Sequence, residues 1–345
     1  MFNRFISRLI LLCTLPVVLM SAAACLPAVG GDAASEARRL AAPYALNVPA
    51  WELHNTFAPP DAAPQKGIPA ALGADIENAL AQQGIAALPP VRYRLVQPPL
   101  LLVISPRERI FYLNRLLLQP GMDAARMEEL EDGIAEKGLS ALVVKIGGFG
   151  AAYPAVVSPS LPLKTIAEAV VEEWAHQYLA LRPLGFLYLL DSLGFSQDPG
   201  VITMNETLAG MMADEISAAV CSRYSGAALQ QGGASDDGFD FAAEMRLTRR
   251  QVDELLAGGS VDEAERYMNE RRDFFVAHGY PIRKLNQAYF AFHGIYGQDP
   301  GSASPVYGQM KKLRQASGSL AEFVQQVSAM TGSDALEKAV DSLPR

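Results

Sequence analysis

VVEEWAHQYLALRPLGFLYLL, residues Val170 to Leu190, is the stretch on which the reading of this chain turns. Its first half has helical spacing. Glu172 and His176 stand four residues apart and share a helix face, while Glu173 points about one position round. The apolar lead of Ala167, Ala169, Val170 and Val171 suits a helix with a buried side. Two readings follow from the same residues. One is an amphipathic helix with solvated acids and a histidine packed at its edge. The other is a metal helix, with Glu172 and His176 converging on a cation and Glu173 reaching a ligand beside it.

Working downstream, the helical pattern runs from Thr165 to about Leu181, and Arg182-Pro183-Leu184-Gly185 reads as its terminator. A second helix is expected to begin near Asn205 in NETLAGMMADEISAAVCSRY. If the two helices are antiparallel, Glu206 comes to lie opposite the Glu172/His176 face. Asp214 and Glu215 would then stand where they could orient His176, or else be surface acids.

Glu172-Glu173-Trp174-Ala175-His176 resembles the H-E-x-x-H motif of the gluzincin metallopeptidases, which carry a further Glu downstream, often just after an Asn. It matches at the base, the second ligand and the spacing, with Glu172 in place of the first His. The resemblance covers roughly residues 151–223, with a looser likeness in KLNQAYFAFHGIY (284–296). It implies His176 and Glu206 as metal ligands, Glu172 as a substitute ligand and Glu173 as the base. It also implies a divalent metal, Zn²⁺ first. A Glu-His-Glu set is harder and more anionic than His-His-Glu, which moves preference toward Mn²⁺, Fe²⁺ or Mg²⁺. The activity implied is metal-dependent hydrolysis of a peptide or protein substrate held on an edge strand before the first helix.

Glu173 to His176 is also an E-x-x-H, the unit of di-iron carboxylate bundles. Such bundles need a second copy, and none of His54, His278 or His293 has a Glu three residues before it. Tyr289 and His293, four apart on one face, read as core residues or as contacts to a substrate or an active-site carboxylate. No G-x-S-x-G occurs, and IGGFGAAYP lacks both dinucleotide and Walker patterns.

The rest of the chain sets the context. The N-terminus, MFNRFISRLILLCTLPVVLMSAAAC, places Arg4 and Arg8 before an apolar run from Leu9 to Met20 and then small residues, the layout of an export signal. Ala22-Ala23-Ala24-Cys25 resembles a lipobox with Cys25 as the lipidated residue, although cleavage after Ala24 and an uncleaved anchor fit the same string. Each places the body outside the cytoplasm, in the cell envelope and tethered to the membrane in two of the three cases. Only 3 cysteines occur, so neither a disulfide framework nor a cysteine-based zinc site is available. The net charge of -8 argues against a nucleic-acid partner.

The expected organisation is a signal or anchor over 1–25, a tether and irregular segment over 26–65, a sheet-containing α/β part over 66–164 and a helical metallopeptidase-like part over 165–345. The fold class is α+β, a small N-terminal sheet layer followed by a mostly helical, zincin-like body. The expected function is an exported metal-dependent hydrolase. The alternative is an inactive envelope lipoprotein that keeps the scaffold for binding.

Overall fold

The computed structural model describes residues 31–57, 69, 71–151, 153–192, 195–196, 198–224 and 238–344. The expected export signal with Cys25, and nearly all of the Gly/Ser/Asp loop over 225–238, lie outside the described residues. Among the described residues no helix is long and apolar enough to cross a membrane. The chain is α+β, with two small sheets and a helical body among the described residues.

The segment 26–65, expected to be tether and irregular chain, contains two helices, α1 (Asp32–Ala41) and α2 (Val48–Phe57). The reason is local. Alanine is the best helix former, Asp32 lies in the first turn, and Arg38 and Arg39 lie in the last, all in keeping with the helix dipole. Ala34, Ala37 and Ala41 form a buried stripe through which α1 packs on the sheet layer. After α3 (Leu72–Gln82), the strands β1 (Tyr93–Leu95), β2 (Leu100–Pro106) and β3 (Asn114–Leu118) precede α4 (Ala124–Ala135). Then come β4 (Leu139–Lys145), β5 (Gly148–Phe149) and β6 (Ala155–Val157).

The first sheet has the order β3-β2-β4, all antiparallel. Strand alternation divides its side chains cleanly. Leu100, Leu102, Ile104, Leu118, Ala141 and Val143 join the core formed with α1 and α4. Leu101, Val103, Leu142 and Val144 join the opposite cluster, formed with α10 (Gln287–His293). Arg115 pairs with Val103 in register and shares that second face. The second sheet has the order β1-β6-β5, so β5 is an edge strand.

Three helices carry the candidate residues: α5 (Leu163–Leu179), α6 (Pro183–Ser192) and α7 (Pro199–Cys221). Helix α6 occupies a stretch expected to be a connection. Pro183 ends one helix by its missing N–H and begins the next for the same reason. The turn is tight enough that a Cβ on Gly185 would run into the Leu179 backbone. Helix α7 begins earlier than expected. Asp198 caps it by accepting from the N–H groups of Gly200 (2.9 Å) and Val201 (3.2 Å), and Pro199 takes the first position. Asn205 and Glu206 therefore stand two turns inside α7, where both are buried.

Helix α7 is the axis of the body, packed against α3, α5 and α6 and also against α11 (Val306–Ala316), α12 (Leu320–Ser328) and α13 (Ser333–Asp341). Val170, Leu179, Leu208 and Met212 are fully buried along it, each contributing about 1.5–3 kcal/mol. The hairpin expected across Gly258-Gly259 forms as α8 (Phe241–Ala257) and α9 (Val261–Ala277), with its own core of Met245, Val252, Met268 and Phe275.

Candidate metal centre

The α5–α7 seam brings Glu172, His176 and Glu206 together. One ligand atom from each lies within 4.8 Å of the other two, a grouping that could hold a metal ion. His176 Nε2 stands 3.4 Å from Glu206 Oε2. Two ligands at about 2.0–2.1 Å from a tetrahedral ion are themselves about 3.3–3.4 Å apart, so this pair is already spaced for a shared cation. Both side chains are nearly enclosed, with 15% and 7% of their surface exposed.

The histidine is oriented from behind. Its Nδ1 meets Asn205 Oδ1 at 2.8 Å. With the amide oxygen accepting, Nδ1 carries a proton, so Nε2 is the nitrogen turned to Glu206: an N–H while the imidazole is charged, a lone pair once that proton is displaced. Asn205 Nδ2 is buried without a hydrogen bond among the described residues. Tyr188 from α6 closes the other side. Its hydroxyl donates to Glu206 Oε1 at 2.7 Å, and its ring stacks on His176 with centroids 5.4 Å apart. Both Glu206 oxygens thus have a protein neighbour, Tyr188 on one and His176 on the other.

Glu173 sits beside this group and faces the edge strand β5. Gly150 donates its N–H to the Glu173 carboxylate, and Gln177 Nε2 holds the Gly150 carbonyl at 3.2 Å. A Cβ on Gly148 or Gly150 would collide with the Glu173 side chain, so the strand approaches the helix closely because two glycines allow it. Phe149 between them packs edge-on against Trp51 of α2, 5.6 Å between centroids.

The electrostatics follow from crowding acids in a dry seam. Burial, together with Glu206 and neighbouring acids, raises Glu172 to about 7 against the pull of His176. Burial and the same crowding raise Glu173 to about 8. Burial opposes charge on His176, but Glu206, Glu173 and Glu172 outweigh it and hold the imidazole at about 10. Burial likewise works against the Glu206 carboxylate, yet His176, Tyr188 and Arg115 keep it below its ordinary value. A proton on His176 therefore supplies positive charge at the place where a divalent cation could supply it. The donor set, the spacing and the surplus of negative charge fit a divalent metal held by Glu172, His176 and Glu206.

The remaining sequence candidates fall elsewhere. Glu215 pairs with Arg314 at 2.7 and 2.9 Å, and Asp214 lies farther along the seam toward Glu168 and Lys164. Neither orients His176; its Nδ1 is held by Asn205, the residue directly before Glu206. His293 Nδ1 pairs with Asp299 Oδ2 at 2.7 Å and its ring meets Tyr289 at 4.1 Å. Among the described residues neither touches Glu172, Glu173, His176 or Glu206, because α10 is turned onto the sheet.

The structure adds residues that sequence reasoning missed. Tyr188, Arg115, Tyr112 and Tyr296 all stand within electrostatic range of Glu206. The available signals were slight: one hydroxyl inside FLYLL, one charge inside the apolar strand NRLLL, and Tyr296 at the end of the stretch flagged for His293. A shallow depression of about 390 Å³ on the α8–α9 hairpin, lined by Gln251, Glu263, Arg266 and Glu270 among others, is a solvated helix surface apart from these groups. The chain matches no protein-family model, no curated protein and no solved structure.

Proposed function

We propose that this chain is an exported, membrane-tethered, metal-dependent hydrolase, a peptidase of gluzincin type with a Glu-His-Glu metal site. One observation carries the reading: Glu172, His176 and Glu206 converge within 4.8 Å, with a third carboxylate, Glu173, between them and an edge strand. A bound divalent cation, Zn²⁺ first and Mn²⁺ or Fe²⁺ next, supplies Lewis acidity, making water a nucleophile near neutral pH and polarising a carbonyl.

The chain's own residues do the rest. Asn205 fixes the imidazole so that Nε2 is free to bind, and Tyr188 holds one Glu206 oxygen so that the other faces His176. Glu173 accepts the proton of the attacking water on its carboxylate and returns it to the leaving amine. Among the described residues β5 has a strand partner on one side only, and an extended peptide would lie along its other side, beside Glu173. The apolar N-terminal run and Cys25 support export and tethering.

Glu172 in the first ligand position favours the second reading, a scaffold that binds a metal or a partner without turnover. Glu173→Gln separates the two. Under the hydrolase reading it retains the metal and loses about 10²–10⁴-fold in turnover of a peptide library. Turnover unchanged by Glu173→Gln, or absent from the metal-loaded wild type, would contradict it.

A further inference from the structure

Arg115 is the one charged side chain that the strands of the first sheet place on the face toward α10, between Leu117 and Val103. Alternation along Asn114-Arg115-Leu116-Leu117-Leu118 puts it there with no choice of rotamer face. It is half-buried, lies against the Tyr112 hydroxyl, and is flanked at longer range by Tyr188, Asp191 and Glu206. Among the described residues no carboxylate comes within 4.0 Å of it. Other partly buried arginines are treated differently. Arg107, Arg249, Arg271, Arg283 and Arg314 each have a carboxylate at 2.5 to 2.9 Å.

Charge balance alone does not account for Arg115. Glu206 already has Tyr188 on one oxygen and His176 on the other, and Asp191 accepts from the Asp198 N–H. Once a cation sits on Glu206, that distant counter-charge is cancelled as well. What remains is a half-buried guanidinium within electrostatic range of Glu206, bonded to the Tyr112 hydroxyl and with no carboxylate in its planar fork among the described residues. A fork of this kind takes a carboxylate through two parallel hydrogen bonds.

We propose that Arg115 anchors a carboxylate of the substrate, so that the site takes peptides presenting a carboxylate next to the bond acted on, an inference that rests on the hydrolase reading. The carboxylate could belong to a free C-terminus or to an Asp or Glu side chain. The chemistry at Arg115 is the same for both, and the probes tell them apart.

The test uses the full chain in detergent, loaded with Zn²⁺, and four pools of N-acetyl tetrapeptides. These have free or amidated C-termini, each with Asp and Glu present or replaced by Asn and Gln. Binding is measured on a Glu173→Gln background and turnover on the wild type, each with Arg115 intact, changed to Lys or changed to Met. The expected result is a preference of about 10–100-fold for one carboxylate-bearing pool. Arg115→Met should erase it through KM with kcat little changed, and Arg115→Lys should keep part of it. Preference for the free C-terminus or for the acidic side chains assigns the source.

Equal binding of all four pools would overturn the proposal. So would an Arg115→Met protein that weakens every pool alike or loses its metal. If that protein fails to fold, Arg115→Lys must still lower the carboxylate preference selectively, and an unchanged preference there also overturns it. Absence of turnover with the binding preference intact and sensitive to Arg115 would remove the hydrolase reading and leave the anion site standing.

Discussion

Two buried acidic sites in this molecule have been solved in opposite ways. Glu131 on α4 is fully buried, and the chain surrounds it with partners. Val143 donates its N–H at 2.6 Å, Arg283 grips both oxygens at 2.8 and 2.6 Å, and Lys284 adds a contact at 3.3 Å. Across the α5–α7 seam, and among the described residues, Glu172, Glu173 and Glu206 share one imidazole and one arginine that no carboxylate approaches within 4.0 Å. The first site carries its counter-charge in the sequence and joins α4, β4 and the segment before α10. The second is short of positive charge, as expected of a site whose counter-charge comes from outside.

Breaking the first site should have the largest effect on folding. Arg283→Met strands Glu131 in the core and should cost about 3–5 kcal/mol in urea unfolding, with metal content untouched. Loss of metal in that variant would dissolve the contrast between the two sites.

Removing a cation should act only on the second. At a free metal concentration about a hundredfold above Kd, binding stabilises by about 2.7 kcal/mol, so a chelator should lower the unfolding temperature of the wild type and of Arg283→Met by similar amounts. His176→Ala should show no such increment. Next in size is Asn205→Ala, which frees the imidazole from its support and should weaken metal affinity about 10–100-fold, read by competition with a chromogenic chelator. Full affinity in that variant would remove Asn205 from the account.

The smallest effect expected is on the pH profile of the metal-free protein. Glu172 and Glu173 are raised to about 7 and about 8 from 4.5, and His176 to about 10 from 6.5. In each case the folded state holds its proton to higher pH than the unfolded chain. The acids are neutral in both states below pH 4.5 and cost stability increasingly as pH climbs toward 8. The imidazole's contribution is whole below 6.5 and fades toward 10. Glu206, lowered, contributes stability that is fully present above 4.5 and is lost only as pH falls below it, so it does not change the trend from pH 5 upward. Metal-free unfolding temperature should thus fall from pH 5 to 9 while the metal increment grows, since binding displaces these protons. Parallel metal-free and metal-loaded profiles would contradict the assignment.

Much of this was legible before any fold was seen. The i,i+4 spacing of Glu172 and His176 and the Asn205-Glu206 pair were enough to bring the ligand group together, because helix periodicity is local. The boundaries that position it were less legible. Pro183 read as a stop, although it is equally a start, so α6 and with it Tyr188 went unseen. Alanine-rich 32–57 read as tether because its helices are held by small buried faces rather than by large apolar residues. Arg115 left only a slight signal, one charge in an apolar run. A single charge in a leucine strand acquires meaning only when pairing with Val103 decides which face it shares.

The measurement that tests the central claim most directly is metal content, by elemental mass spectrometry, of the protein purified without chelator beside its His176→Ala variant. The expected result is about one equivalent of a transition metal, absent from the variant. No metal in either protein, even after Zn²⁺ or Mn²⁺ is added, would contradict the account.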